Sequence, residues 1–165
     1  MPLVPAINDV DKLADRPVLA LLLATNRAAV SAAKFDRNEL TIWVERGFIR
    51  EACAILRDDK TLQFTFLSDL TCVDWYPSEP RFEVVYELLS IPRKERVRLK
   101  VRLPGSDPSV ESLTSVWPSA NFFEREVFDL FGVRFQGHPY LRRILMPEDW
   151  EGYPMRKDYP VEGYR

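Results

Sequence analysis

Three consecutive pieces of sequence decide the fold: Arg81-Phe82-Glu83-Val84-Val85-Tyr86-Glu87-Leu88-Leu89-Ser90-Ile91, then Pro92-Arg93-Lys94-Glu95, then Arg96-Val97-Arg98-Leu99-Lys100-Val101-Arg102-Leu103. In the last piece Val97, Leu99, Val101 and Leu103 alternate with Arg98, Lys100 and Arg102. Successive side chains of a strand point to opposite faces, so this period places one face on a core and the other in solvent. The Pro92–Glu95 stretch between the two runs reads as the turn of an antiparallel hairpin. A sheet with one apolar face is completed by helices on that face.

Upstream, Asp9 to Ala33 reads as helix, broken near Pro17 or Asn26. Leu40, Ile42 and Val44 alternate with Thr41 and Trp43, which predicts a strand over Glu39 to Glu45. Gly47 to Asp58 switches to helical spacing through Ile49, Cys53 and Leu56. Leu62 to Trp75 is β-rich and long enough to require a bend at Ser68-Asp69. Downstream, Pro104-Gly105 ends the hairpin, Ser109 to Trp117 reads as a short helix, and Ser119 or Asn121 is placed to cap a helix that runs to Phe131 and stops at Gly132. The order predicts an α+β class: a mostly antiparallel sheet covered by helices, in a domain spanning 1–136.

From Gly137 to Arg165 there are four prolines, three glycines, four tyrosines and a tryptophan. Proline lacks an N–H and clashes with the preceding helical turn, so this is neither helix nor central strand. Disordered tails are poor in aromatics. Tyr, Trp and Arg dominate binding energy at interfaces. Residues 137–165 therefore read as an extended, irregular docking arm, with Tyr140, Trp150, Tyr153, Tyr159 and Tyr164 as its large faces, expected to be mobile in the free chain.

Net charge is −2 with a pI near 5.6, which argues against generic nucleic-acid binding. Arg98, Lys100 and Arg102 on one sheet face leave such a reading open only with exposed aromatics beside them. There are two cysteines, Cys53 and Cys72, and one histidine. Reduced thiols are the simplest reading of the pair. An iron–sulfur cluster wants four thiolates and a structural zinc site four ligands, so no cofactor or metal is expected in this chain. The apolar run Val18 to Ala24 is too short to span a bilayer, and Asp9, Asp11 and Asp15 ahead of it are wrong for a signal peptide. Any membrane association is expected through partners.

Glu124, Glu126 and Asp129 gather carboxylates around Arg125. On a helix, Arg125 and Asp129 are i,i+4 neighbours and are expected to pair. A stand-alone enzyme using Glu126, Asp129 and His138 would need these in one pocket; the simpler reading is an ion-pair ladder, with His138 a turn residue before Pro139. Phe122, Phe123, Val127, Phe128, Leu130 and Phe131 leave the helix apolar nearly all round, so something beyond one sheet is expected to cover it.

The run Glu124-Arg125-Glu126-Val127-Phe128-Asp129-Leu130-Phe131-Gly132, continued by Gly137-His138-Pro139-Tyr140-Leu141-Arg142-Arg143-Ile144-Leu145 and by Pro147 to Pro160, resembles the signature of the 30-kDa-type subunit of proton-pumping NADH–quinone oxidoreductase (respiratory complex I). Phe66 to Trp75 is similar in style. Tyr140 departs from the pattern, where a small polar or acidic residue is expected. The resemblance implies a non-catalytic subunit of the peripheral arm, on the cytoplasmic side of a bacterial inner membrane, within a hetero-oligomer that passes electrons from NADH to quinone and couples this to proton translocation. It implies that FMN and Fe–S clusters lie in other subunits, and that the neighbours are the large quinone-site subunit and the Fe–S cluster subunits, with no nucleic acid. Related subunits of energy-converting hydrogenases, formate hydrogenlyases and ferredoxin- or F420-dependent quinone reductases share the pattern. The partner interface is then expected at Glu124, Arg125, Glu126, Asp129, Phe131, His138, Tyr140, Arg142, Arg143, Trp150, Tyr153, Arg156 and Tyr159.

Overall fold

The computed structural model describes residues 6–163, so Tyr164 and Arg165 of the expected arm lie outside the described residues. The elements are α1 (Pro17–Asn26), β1 (Val30–Asp36), β2 (Glu39–Val44), α2 (Ile49–Asp58), β3 (Phe66–Asp74), β4 (Phe82–Ser90), β5 (Glu95–Leu103), β6 (Ser109–Glu111), α3 (Ala120–Phe131) and β7 (Arg134–Gln136). Five strands form one sheet in the order β1-β2-β5-β4-β3. All neighbours are antiparallel except β2 and β5, which run parallel. This is the expected α+β arrangement.

The β4–β5 hairpin holds the register its alternation demands. Val97, Leu99, Val101 and Leu103 stand opposite Leu88, Tyr86, Val84 and Phe82, and all eight are buried. Each of the seven other than Tyr86 contributes roughly 1.5–3 kcal/mol relative to exposure, whereas the Tyr86 hydroxyl is buried without a hydrogen-bond partner. On the opposite face Arg98 faces Glu87 and Arg102 faces Glu83, pairs that stabilise a ladder. The β3–β4 register shifts between Leu67 and Asp69, where the bend was expected, and the Ser68 hydroxyl donates to the Glu87 carbonyl at 2.9 Å. Buried residues of all three helices join the sheet's inner face in one core.

Three local expectations are corrected. The N-terminal helix does not continue to Ala33. It starts with Pro17 in its first turn and ends at Asn26, whose side chain accepts the Ala29 N–H at 3.2 Å. Val30 then opens β1. The Ala-rich run Val30 to Asp36 has weak strand character of its own; its strand state comes from pairing with β2 through a two-residue turn, Arg37-Asn38, both with positive φ. Ser109 to Trp117 is not a helix either. Ser109–Glu111 pairs in parallel with β7, and the Ser112 N–H extends that ladder to the Gln136 carbonyl. That partner lies 25 residues downstream of each paired residue (Ser109 with Arg134), beyond the reach of local periodicity. Ser119 precedes α3 but makes no capping bond with its side chain.

α3 packs against β3 and ends at Gly132, whose φ of +76° closes the helix. Residues 137–163 then form a strap without helix or strand. It does not stand away from the domain, as a separate arm would. The Met155 N–H reaches the Leu130 carbonyl at 3.1 Å, and Lys157 N–H reaches Asp74 at 2.9 Å.

Candidate functional site

The centre of the strap's attachment is Asp129, fully buried on α3. One carboxylate oxygen takes Arg143 Nη1 at 2.6 Å. The other takes the N–H groups of Ile144, Leu145 and Met146 at 2.9, 2.7 and 2.9 Å. Successive backbone N–H groups converging on one oxygen form an anion-binding nest. Burial opposes ionisation of Asp129, yet the N–H groups and the Arg143 guanidinium outweigh it and hold its carboxyl below the usual range. The rest of the Arg143 fork donates to the carbonyls of Trp150 and Gly152, both at 2.9 Å.

Arg125 does not pair with Asp129. It donates to the carbonyls of Arg142 and Arg143 at 3.2 and 3.0 Å. Asp129 has turned instead to a residue 14 positions on, where it gains backbone donors that an i,i+4 guanidinium could not add. The contacts Asn121–His138, Arg125–Arg142 and Asp129–Met146 share one offset of 17 residues. The first stretch of the strap therefore runs beside α3 in the same direction. His138 accepts the Tyr140 N–H on Nδ1 at 3.0 Å, so Nε2 carries the proton and donates to the Asn121 carbonyl at 3.2 Å. Burial moves its pKa down, the Asn121 bond opposes this, and the Arg125 charge adds to the lowering. It is a turn residue with both nitrogens used.

A second clasp was missed by sequence reading. Arg81 grips Asp74 through Nε and Nη2, both at 2.9 Å, and Asp158 of the strap at 2.9 and 2.6 Å. Burial would raise the Asp74 pKa, but Arg81 and the N–H groups of Lys157 and Tyr76 bring it down to about 2. The available signal was an acid ending one strand and an arginine just ahead of the next. Between the clasps Arg156 Nε donates to the Phe131 carbonyl at 2.6 Å and stacks on Tyr153 at 4.5 Å. Tyr153 meets Phe128 edge-on at 6.4 Å. A Cβ on Gly132 would lie 2.5 Å from Arg156 Nη2 and 2.6 Å from the Tyr153 ring. Glycine there serves both the helix end and the strap's close approach.

Glu124 faces inward. Its carboxylate accepts from Ser112 Oγ and from the Leu113 N–H, both at 2.6 Å. Phe131 is buried. The Tyr159 hydroxyl donates to the Glu151 carbonyl at 3.3 Å. Outward lie Glu126, Phe122 (62 % exposed), Tyr140 (58 %) with Arg142 stacked at 4.4 Å, Leu145 (59 %), Met155 and, less so, Trp150. The exposed Phe122 is the part of the all-round apolar helix that the fold leaves uncovered. Glu126, Asp129 and His138 have different surroundings: Glu126 faces outward, Asp129 is buried under the strap, and His138 is spent on Asn121 and Tyr140. Among the described residues no group of three or more His, Cys, Asp or Glu is placed to hold a metal ion, and no helix is long and apolar enough to cross a membrane. Cys53 and Cys72 are unpaired and buried; burial pushes both thiols up, Cys72 to about 12.

Two outcomes follow from these buried acids. Asp129→Asn leaves the Arg143 charge without its counter-ion, and unfolding in urea is expected to show a loss of about 3 kcal/mol or more; unchanged stability contradicts the clasp. Burial pushes the Glu124 pKa up to about 7, against the opposing Ser112 and Leu113 bonds. The folded state then binds the proton more tightly than the unfolded chain. Stability from this group is full below the unfolded value of 4.5 and is lost as pH rises toward 7. Glu124→Gln is expected to flatten that slope and to raise the pH 8 melting temperature above that of the parent; an unaltered slope between pH 5 and 8 contradicts it.

Comparison with known proteins agrees with the signature. The family model described as respiratory-chain NADH dehydrogenase, 30 Kd subunit, matches residues 42–165. An NADH-quinone oxidoreductase subunit from Roseiflexus sp. (strain RS-1) is 52 % identical over 134 residues, 81 % of this chain and 76 % of that one. Its counterpart from Geobacter sulfurreducens is 50 % identical over 137 residues, 82 % and 83 % of the two chains. Among solved structures, the trypsin-resistant fragment (1–134) of Nqo5 matches with TM-score 0.63 and 36 % identity, over 75 % of this chain and 99 % of that one. A chain of the membrane-bound sulfane sulfur reductase, an archaeal respiratory membrane complex, matches with TM-score 0.74 and 27 % identity, over 87 % and 84 %. With three quarters of its length under the family model and the clasp residues inside that stretch, the chain belongs to the family of the 30-kDa subunit of respiratory-chain NADH dehydrogenase.

Proposed function

We propose that this chain is a non-catalytic peripheral-arm subunit of an NADH–quinone oxidoreductase, and that its strap is the element through which it is built into the complex. The observation that carries the reading is the division of the strap into two sides. The inner side is consumed by Asp129, Arg81, the Arg125 guanidinium and the carbonyls of Asn121 and Phe131. The outer side offers Tyr140, Leu145, Met155 and the neighbouring Phe122. Large apolar side chains held outward on a fixed backbone bind a partner at lower ordering cost than a free tail would. The neighbours that fit are the large quinone-site subunit and the Fe–S cluster subunits, with FMN and the clusters in those other chains. Attachment on the cytoplasmic side of a bacterial inner membrane goes through them. The chain's work is then assembly and stability of a complex that carries electrons from NADH to quinone and translocates protons.

The likeness to a chain of an archaeal sulfane sulfur reductase supports a second reading, an equivalent subunit in a related respiratory complex with another electron donor. What co-purifies from the native membrane separates the two: NADH- and flavin-binding chains for the first, their absence beside membrane and cluster subunits for the second. A chain ending at Gln136 keeps every strand and helix. It is expected to unfold cooperatively at a lower melting temperature and to be lost from the assembly. Normal incorporation of that shortened chain contradicts the role given to the strap.

A further inference from the structure

The carboxyl of Glu124 is fully buried on α3, and neither clasp of the strap uses it. It ends a chain of hydroxyls that leads to the surface. Oε2 lies 2.6 Å from Ser112 Oγ. Ser112 Oγ lies 2.9 Å from Thr114 Oγ1, and either hydroxyl can donate to the other. Ser112 is buried and Thr114 half-buried. Ser112 Oγ also accepts the Thr114 N–H at 3.2 Å, and Oε1 accepts the Leu113 N–H at 2.6 Å. A hydroxyl donates one hydrogen bond and accepts two. With Glu124 ionised, Ser112 donates to Oε2 and accepts from the N–H and the hydroxyl of Thr114. With Glu124 protonated, its O–H donates to Ser112 Oγ, and the Ser112 hydroxyl turns to donate to Thr114, whose own hydroxyl turns to solvent. Both states satisfy every buried polar atom of the chain, and only hydrogens move between them.

No cation fixes Glu124 in its ionised form. α2 brings Cys53 and β4 brings Tyr86 close enough to interact with its charge, and burial keeps both uncharged. The charged groups of the surrounding elements are engaged elsewhere: Arg125 with the strap carbonyls, Arg57 with Asp58 and the Val116 carbonyl, Arg50 with Glu111, and Asp74 of β3 with Arg81. Burial of the carboxyl is opposed only by two neutral donors, which leaves its pKa at about 7. Both proton states are therefore populated near neutral pH. We propose that Glu124 is a proton-binding site that exchanges with solvent through Ser112 and Thr114 while the chain stays folded. On release, the proton on Oε2 passes to Ser112 Oγ, the Ser112 proton to Thr114 Oγ1 and the Thr114 proton to water, which leaves a carboxylate with two donors; uptake is the reverse. The proton decides whether a negative charge stands beneath the turn that follows β6. The site depends neither on the subunit assignment nor on the strap.

The test follows the full chain, carrying carbon-13 in its glutamate carboxyls, by NMR between pH 5 and 9. The Glu124 carbon, assigned by through-bond correlation to its own backbone amide, is expected to titrate with a midpoint of about 7, against 4.5 for an unperturbed glutamate. The amide spectrum of the folded chain is expected to persist throughout. A Glu124 carboxyl that keeps one form across this range, or that changes only as the folded spectrum is lost, overturns the site. Thr114→Val does not touch the carboxyl. It is expected to leave the midpoint unchanged and to slow proton exchange at least tenfold, read from the Glu124 line width at the midpoint. Thr114→Ser, which keeps the hydroxyl, is expected to exchange as fast as the parent. Exchange in Thr114→Val as fast as in the parent overturns the relay. Ser112→Ala removes a donor to the anion and is expected to raise the midpoint; an unmoved or lowered midpoint counts against the proposal.

Discussion

A carboxylate removed from water must recover its hydration from the protein, and Asp129 recovers it entirely from the strap. Three successive N–H groups and one guanidinium converge on it. The partners are strong because both sides gain: the three N–H groups have no backbone acceptor, and the Arg143 fork is satisfied in the same place. Once this contact is made, the path of residues 138–146 along α3 follows, since the Arg125 and His138 contacts keep the same offset from the helix. The second clasp, Asp74–Arg81–Asp158, anchors the far end against the β3–β4 turn. Between them the strap must pass close to the C-terminus of α3, which is why the residue ending that helix has no side chain.

This arrangement divides one segment between inward contacts that hold the fold and side chains left facing outward. Residues that a sequence reader would assign to a partner, Glu124, Arg125, Asp129, Phe131, Arg143 and Arg156, are spent on the chain itself. They hold the outer residues of the strap at fixed positions. Buried ion pairs are weak sources of net stability but costly to break one-sidedly. They are therefore suited to fixing one conformation of a strap that has no regular hydrogen bonding of its own.

How much of this was legible in the sequence varied with the range of the interaction. The β4–β5 hairpin, the β3 bulge and the end of α3 were readable because alternation, a run too long for one straight strand, and a glycine stop are local signals. β1 was not, because Val30 to Asp36 is a strand only by virtue of its partner across the Arg37-Asn38 turn. β6 was missed for the same reason, its partner being β7. At the candidate site Asp129, Arg125 and Arg143 stand out in the sequence but their contacts do not, and Asp74, Arg81 and Asp158 do not stand out at all. Helical spacing offered Asp129 to Arg125, whereas the fold supplied a better set of donors 14 to 17 positions away. The Arg81 clasp joins positions 77 apart, and nothing in either neighbourhood marked the pairing.

Hydrogen–deuterium exchange on the free subunit tests the folded-back strap most directly, read at the amides of Ile144, Leu145 and Met146. If these donate to a buried carboxylate, they exchange slowly, at rates comparable to the amides in the middle of α3, and lose protection only when that helix does. Exchange at the rate of an unstructured peptide, with α3 still protected, would mean that Asp129 does not hold the strap in the free chain.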